Sequence, residues 1–313
     1  MSKIANAARA LLLWMLVLVP PANAKLAATP PQKLLPAERD SLARAIATDR
    51  TDTEKWLKEA PNSYLATVGR TDFGDAKTLV VGSAEDCGVR IADPGMPAHA
   101  LSVTVAGDSF QVAALDPATP FGWNKLDWHG ATLPPTGITL GRWTLRLSHQ
   151  RYPAIIVFDP RSPRYASYHG LEYFPVDLAY RFAAPLTPNP APDTVIIMST
   201  RGNARRAVRV GWFDLLVAGR PVRLEAHRLL EPGVDESSVS IFFRDATTKH
   251  ESYAVGRYVD PQKLEDGRWI VDFNLAYNPA CAFSPHYNCP IPSRANTLPV
   301  AIRAGEKDSH YSH

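Results

Sequence analysis

Leu101-Ser102-Val103-Thr104-Val105-Ala106-Gly107-Asp108-Ser109-Phe110-Gln111-Val112 is the stretch on which the fold turns. Leu101, Val103 and Val105 alternate with Ser102 and Thr104, and a period of two places the three apolar side chains on one face of a strand. Gly107-Asp108 is a hairpin signal, so residues 101–106 and 110–115 are expected to fold back on each other. The same texture of short alternating runs and turn residues continues at residues 78–82, 137–148 and 154–158. Further along it recurs at 194–198, 207–210, 212–217, 222–227, 239–244, 253–259 and 269–274, with Ala218-Gly219-Arg220 as a turn between two of them. Seven short strands with hairpin-length links suggest an antiparallel barrel or sandwich.

One stretch reads as helix. Pro36 sits in its first turn, Pro61 stops it, and Leu42, Ala45, Ile46, Trp56 and Leu57 give residues 37–60 an intermittent apolar face. The polar interruption at 49–53 leaves one helix or two short ones open. The expected class is therefore mainly β. A linker and N-terminal helix (25–62) lead into a small β-sandwich (63–158) and then a larger antiparallel barrel or sandwich (159–306), with a flexible tail at 307–313. Asp159-Pro160-Arg161-Ser162-Pro163 is the expected joint.

Residues 1–24 have the make-up of a secretory signal peptide: Lys3 and Arg9, an apolar run over 10–19, Pro20-Pro21, then Ala22-Asn23-Ala24 as the small-x-small cleavage site. An exported, periplasmic or secreted protein is expected, with an uncleaved anchor as the alternative. No later segment approaches the roughly 20 apolar residues of a membrane-spanning helix. The 34 basic residues less Lys3 and Arg9 leave 32 against 31 acidic ones, a net charge of +1. That balance argues against nucleic acid or an anionic membrane as the main partner. Arg201, Arg205, Arg206 and Arg209 form the one basic cluster, read as a solvated loop and strand face. Nothing points to a cofactor, and nothing in the pattern sets an oligomeric state.

Residues 271–292 read VDFNLAYNPACAFSPHYNCPIP, a specified, non-repetitive loop of the kind found where a site is built or a chain end is clamped. Cys281 and Cys289, in an oxidising compartment, are expected to form a disulfide; the alternative is a Cys281 nucleophile with His286 as base. Cys87 is left over as a small buried residue. The histidines show no short ligand spacing, so no metal is expected. Neither a nucleophile elbow nor a glycine-rich phosphate cradle is present. The best polar constellation is Arg244, Asp245, Arg257, Asp272, Asn274, Tyr277 and Asn278. Strand alternation would put Asp272 and Asn274 on one face, opposite Phe273, where the carboxylate and amide need partners if buried. Arg257 on another strand, with Asp245 near it in the turn, is the expected partner. The group reads either as a buried ion pair that fixes register or as the floor of a pocket for a small polar or anionic ligand, with Arg257 as the cation. The leading expectation is a binding module for a small polar ligand or an envelope component; a hydrolase using Arg257, Asp272 and Asn274 and a structural envelope protein are the alternatives. Residues 170–177, with Glu172, Tyr173 and Asp177, read as a packed crossover; Glu172 facing Asp272 would be needed for a paired-carboxylate glycosidase.

From Arg39 to Glu306 the chain resembles the bacterial family known as domain of unknown function 1684. The resemblance is carried by Trp56-Leu57, Val81-Gly82-Ser83, Asp159-Pro160, Gly170-Leu171-Glu172-Tyr173-Phe174-Pro175-Val176-Asp177, Arg244-Asp245-Ala246-Thr247, Gly256-Arg257-Tyr258, Asp272-Phe273-Asn274 through Pro292, and Ala304-Gly305-Glu306-Lys307. It implies a grouping and no activity. Leu79-Val80-Val81-Gly82-Ser83, Cys87-Gly88-Val89-Arg90-Ile91 and Met96-Pro97-Ala98-His99-Ala100 also resemble the opening of a forkhead-associated sandwich. Ser83 and Met96-Pro97 stand where that family has its phosphate-binding Arg and Ser, so the resemblance implies the sandwich and not phosphopeptide recognition.

Overall fold

The computed structural model describes residues 27–308. The expected signal peptide at 1–24 and residues 309–313 lie outside them. Pro36–Glu59 is a single helix, α1. Glu38 accepts the Leu35 N–H at 2.7 Å, satisfying one of the free donors at the start, and Lys58 pairs with Glu54 one turn back at 3.2 Å. Only Ile46 and Leu57 of α1 are buried. The polar interruption does not break the helix because it too is docked: the Arg50 guanidinium lies 4.4 Å from the centre of the Tyr173 ring.

The alternating runs of the first half form two sheets. One has the order Val89–Arg90, Thr78–Gly82, Leu101–Ala106, Ser109–Ala114, Gly130–Leu133; the other runs Thr67–Asp72, Pro153–Phe158, Trp143–His149, Gly137–Leu140, Phe121–Trp123, Leu126–Trp128. The expected hairpin is present, with Val103 opposite Val112 and Val105 opposite Phe110. The 137–148 run is two strands, folded at Gly141. Val81, Val103, Phe110, Val112 and Leu133 of one sheet pack on Phe121, Ile138, Leu145, Leu147 and Ile155 of the other, which makes the unit a sandwich with a shared core.

In the second half no closed barrel forms among the described residues. Ala204–Val217 and Arg220–Leu229 make one long hairpin, turned at Ala218 and Gly219, both with positive φ as a two-residue turn of this hand requires. Its register shifts between Arg209 and Gly211. Thr194–Met198 and Thr187–Pro188 complete that sheet, while Arg181–Ala184, Trp269–Asp272 and Gln262–Lys263 form a second, and Ile241–Phe243 with Arg257–Val259 a third. The sheets stay separate because their open side is closed by extended, irregular chain. Leu298, Val300, Ile302 and Ala304 alternate into the core beside Phe182, Phe213, Phe243 and Phe273.

The two halves share a further apolar cluster. Ala66, Ile156 and Phe158 on the outer face of the first half meet Ala207, Phe242, Tyr258 and Tyr287 of the second. Residues expected to be loose are held as well. Thr29 N–H donates to Asp214 O at 2.8 Å and Gln32 N–H to Arg181 O at 2.8 Å, so part of the linker runs along the second half. Lys307 N–H donates to Glu172 O at 2.8 Å and Asp308 N–H to Glu251 O at 3.1 Å, which removes both residues from the expected tail.

A candidate binding cleft around Glu306

The strand Trp269–Asp272 ends where alternation would have continued. Phe273–Leu275 is a 3-10 turn capped by Asp272, whose Oδ1 accepts the Asn274 N–H at 3.0 Å and its Nδ2 at 2.9 Å. Asp272 and Asn274 are thus neighbours through a cap and not through a shared strand face, because an Asp at a turn start competes for backbone donors. The other Asp272 oxygen takes Arg181 Nη1 at 2.6 Å. Asn274 bridges to the 170–177 segment in both directions, accepting Asp177 N–H at 2.8 Å and donating to Asp177 O at 2.9 Å.

Arg257 is not paired with Asp272. It is 1% exposed; Nη2 reaches Asp245 at 3.3 Å and Ile302 O at 2.8 Å, Nη1 donates to the main-chain oxygens of Ala304 and Glu306 (3.0 Å), and Nε has no acceptor among the described residues. Asp245 accepts the Ile302 N–H at 2.6 Å and the hydroxyls of Thr247 and Thr248. Flanked by the Phe174 and Phe243 rings, this pair is a clamp on the C-terminal segment, sealed from ligand. Arg244 lies apart from it, its Nε on Val255 O at 2.9 Å.

The clamp delivers Gly305 and Glu306. Gly305 has φ +77°, and a Cβ there would stand 2.5 Å from Ala276 O and 2.7 Å from Phe273 O, a conformation and an approach that only glycine allows. Phe174 N–H donates to Gly305 O (2.9 Å) and Glu306 N–H to Ala276 O (2.8 Å). Segments 170–177, 272–278 and 304–307, far apart in sequence, therefore meet at one carboxyl. Glu306 Oε2 accepts the Asn278 N–H at 2.7 Å. Burial pushes its pKa up to about 7, against the opposing pull of that N–H and of Arg257.

Glu306 opens on a cleft of about 330 Å³ between α1 and these segments. Its walls are aromatic, from Trp56, Tyr64, Tyr173, Tyr277 and Phe283; its charges are Asp49, Asp260 and Glu306, and among the described residues neither Lys nor Arg lines it. Tyr277 donates to Asp260 at 2.8 Å. Burial raises the Tyr173 and Tyr277 hydroxyl pKa values, so both stay protonated. Asn278 Nδ2 donates to Lys307 O at 2.7 Å, while its Oδ1 is buried and has no donor among the described residues. Of the seven residues of the expected constellation, Asn274, Tyr277 and Asn278 line the cleft; Arg257, Asp245 and Asp272 support it, and Arg244 stands outside. Glu306 was not among them. The signal for it was a carboxylate directly after Gly305, in Ala304-Gly305-Glu306-Lys307.

The structure shows no disulfide between Cys281 and Cys289. All three cysteines are free thiols, with Cys281 and Cys289 side by side and the Cys281 N–H on Cys289 Sγ at 3.3 Å. The hydroxyl at the Cys281 sulfur is that of Tyr253, at 3.7 Å. A hydrogen bond from Cys289 lowers the Cys281 pKa, and the same contact with burial raises that of Cys289. At the edge of the first sandwich, Asp86, Cys87 and His99 offer ligand atoms within 4.8 Å of one another, an arrangement hidden from spacing rules because His99 comes from the next loop. Glu172 pairs with Lys307 at 3.6 Å. Three arginines of the basic cluster are paired too: Arg201 with Asp72, Arg205 with Glu231, Arg209 with Asp193 and Glu225.

Residues 166–307 match the family described as "Protein of unknown function (DUF1684)". Among solved structures, an uncharacterized protein of Haloarcula marismortui is similar at 33% identity over 49% of this chain and 85% of that one, with a TM-score of 0.39. The FHA domain of FhaA, solved in complex with the intracellular domain of Rv3910, is similar at 17% identity over 28% of this chain and 96% of that one, with a TM-score of 0.21. No curated protein matches.

Proposed function

From the chemistry of its own cleft we propose that this chain, which matches the DUF1684 model over residues 166–307, is an exported binding protein for a small polar ligand that presents an ammonium group. The observation that carries this is that Glu306 and Asn278, whose Oδ1 has no donor among the described residues, both line an aromatic cavity whose charged residues, among those described, are all acidic. A buried acceptor without a donor is costly, and a ligand N–H satisfies it. Aromatic faces and carboxylates together favour a cation over an anion. The expected cation of the pocket, Arg257, is committed to main-chain oxygens, which turns the reading from an anionic group toward a cationic one at this place. The hydrolase reading loses its residues for the same reason, since Arg257 and Asp272 are both consumed in structural contacts.

Export is supported by the composition of residues 1–24, and the neighbouring Cys281 and Cys289 suit an oxidising compartment, where they would join. Calorimetric titration with ethanolamine tests the binding proposal. Its ammonium stays protonated around neutrality. An ionised Glu306 is required to receive it, so affinity should rise as pH increases through about 7. In Glu306→Gln the affinity should be lower and flat with pH. Absence of binding to the wild type, or equal binding to the variant at all pH values, overturns the proposal.

A further inference from the structure

A second cavity, of about 340 Å³, adjoins the first, and Tyr64, Tyr277 and Asp260 line both. Its chemistry is opposite. Arg70, Arg146 and Arg205 face it, with Asp260 its only carboxylate among the described residues.

The strand register explains two of the three. Arg70 and Arg146 both stand opposite Ile156, one on each neighbouring strand, so all three project from the same outer face of the sandwich. Ser148, two residues beyond Arg146 on its strand, shares that face. Arg205 enters from the second half, 4% exposed and held in a fork by Glu231. Arg70 is similarly fixed by Asp72, at 2.9 and 2.7 Å. Arg146 makes no ion pair among the described residues, and its charge pulls down on the hydroxyl pKa values of Tyr64 and Tyr287. The cavity thus contains two rigid guanidiniums and one uncommitted one. Asn288 adds a second buried amide oxygen, its Oδ1, that has no donor among the described residues.

We infer that the second cavity is an anion subsite, centred on Arg146, and that the two cavities together take one zwitterionic molecule. Its ammonium lies at Glu306 and Asn278, and its carboxylate or phosphate at Arg146, past the Tyr64 and Tyr277 rings. The extension rests on the proposed reading of the first cavity; the anion subsite by itself does not.

Calorimetry with four probes separates the parts: ethanolamine, inorganic phosphate, phosphoethanolamine and β-alanine, each against wild type, Arg146→Met and Glu306→Gln. Arg146 is exposed, so its replacement should leave the fold intact. At least one of the two zwitterions should bind about tenfold or more tighter than ethanolamine, because a charge-assisted contact to Arg is added. Arg146→Met should remove that gain. Preference for phosphoethanolamine identifies the anion as phosphate, and preference for β-alanine as carboxylate. No gain with either zwitterion, or a gain that survives Arg146→Met, overturns the inference. If ethanolamine fails while phosphate binds wild type and not Arg146→Met, the ammonium reading falls, the zwitterion goes with it, and the anion subsite stands.

Discussion

At the scale of single residues, Glu306 is a carboxyl held in an environment that disfavours its charged form. A carboxyl whose pKa is raised from 4.5 to about 7 stabilises the fold below its unfolded value and ceases to do so as pH rises through its folded one. The unfolded chain releases the proton near pH 4.5, whereas the folded chain holds it until about pH 7. Across that window the wild type should lose on the order of 3 kcal/mol relative to Glu306→Gln. Denaturant unfolding of both proteins at several pH values measures the difference, and parallel curves would show that Glu306 titrates as an ordinary carboxyl. None of this was legible from residue type. The sequence marked Asp272, Asn274, Tyr277 and Asn278 because polar residues crowd there, but a buried acid differs from an exposed one only through what packs around it.

At the scale of elements, the Arg257–Asp245 clamp shows why the partner assignment failed while the choice of residues did not. Arg257 and Asp245 were both visible as polar residues in strand-rich surroundings. Their partners are main-chain atoms of the 302–306 segment, and main-chain acceptors carry no sequence signature. Replacing Arg257 by Met strands Asp245 in the core and should cost about 3–5 kcal/mol. Removing Asp245 as well, with leucine, should recover little, because the Ile302, Ala304 and Glu306 oxygens and the Ile302 N–H would all be left without partners. Chemical denaturation of the single and double variants decides it. Near-complete rescue by the second change would mean that the ion pair matters and the main-chain contacts do not. Elements defined by their own period were read well by comparison: Thr78–Gly82, Leu101–Ala106 and Thr194–Met198 have the expected bounds. The strand expected over 269–274 was cut short at Asp272, where a side-chain cap outcompeted the ladder.

At the scale of the whole molecule, the cleft exists because a helix, a sandwich and an unclosed set of sheets are held together by loops. The mainly β class follows from alternation, which is local. The absence of a closed barrel does not, since closure depends on register and on the irregular chain that fills the open side. The cysteines respond to this larger arrangement as well. Cys281 and Cys289 are adjacent and Cys87 is remote in the sandwich, bonded to Ala98 O. If the protein is exported to an oxidising compartment, mass spectrometry of the unreduced material should find it two hydrogens lighter than the reduced form, with Cys87 alone open to alkylation after unfolding. Three alkylated cysteines would count against export to such a compartment.

Binding as proposed turns on one carboxyl that waits for a cation, and ¹³C NMR of the Glu306 side-chain carboxyl, assigned by its loss in Glu306→Gln, observes it directly. In the free protein the signal should titrate near pH 7, and saturating ethanolamine should move that midpoint downward. A signal that titrates in the ordinary carboxylate range and ignores ethanolamine would contradict the account.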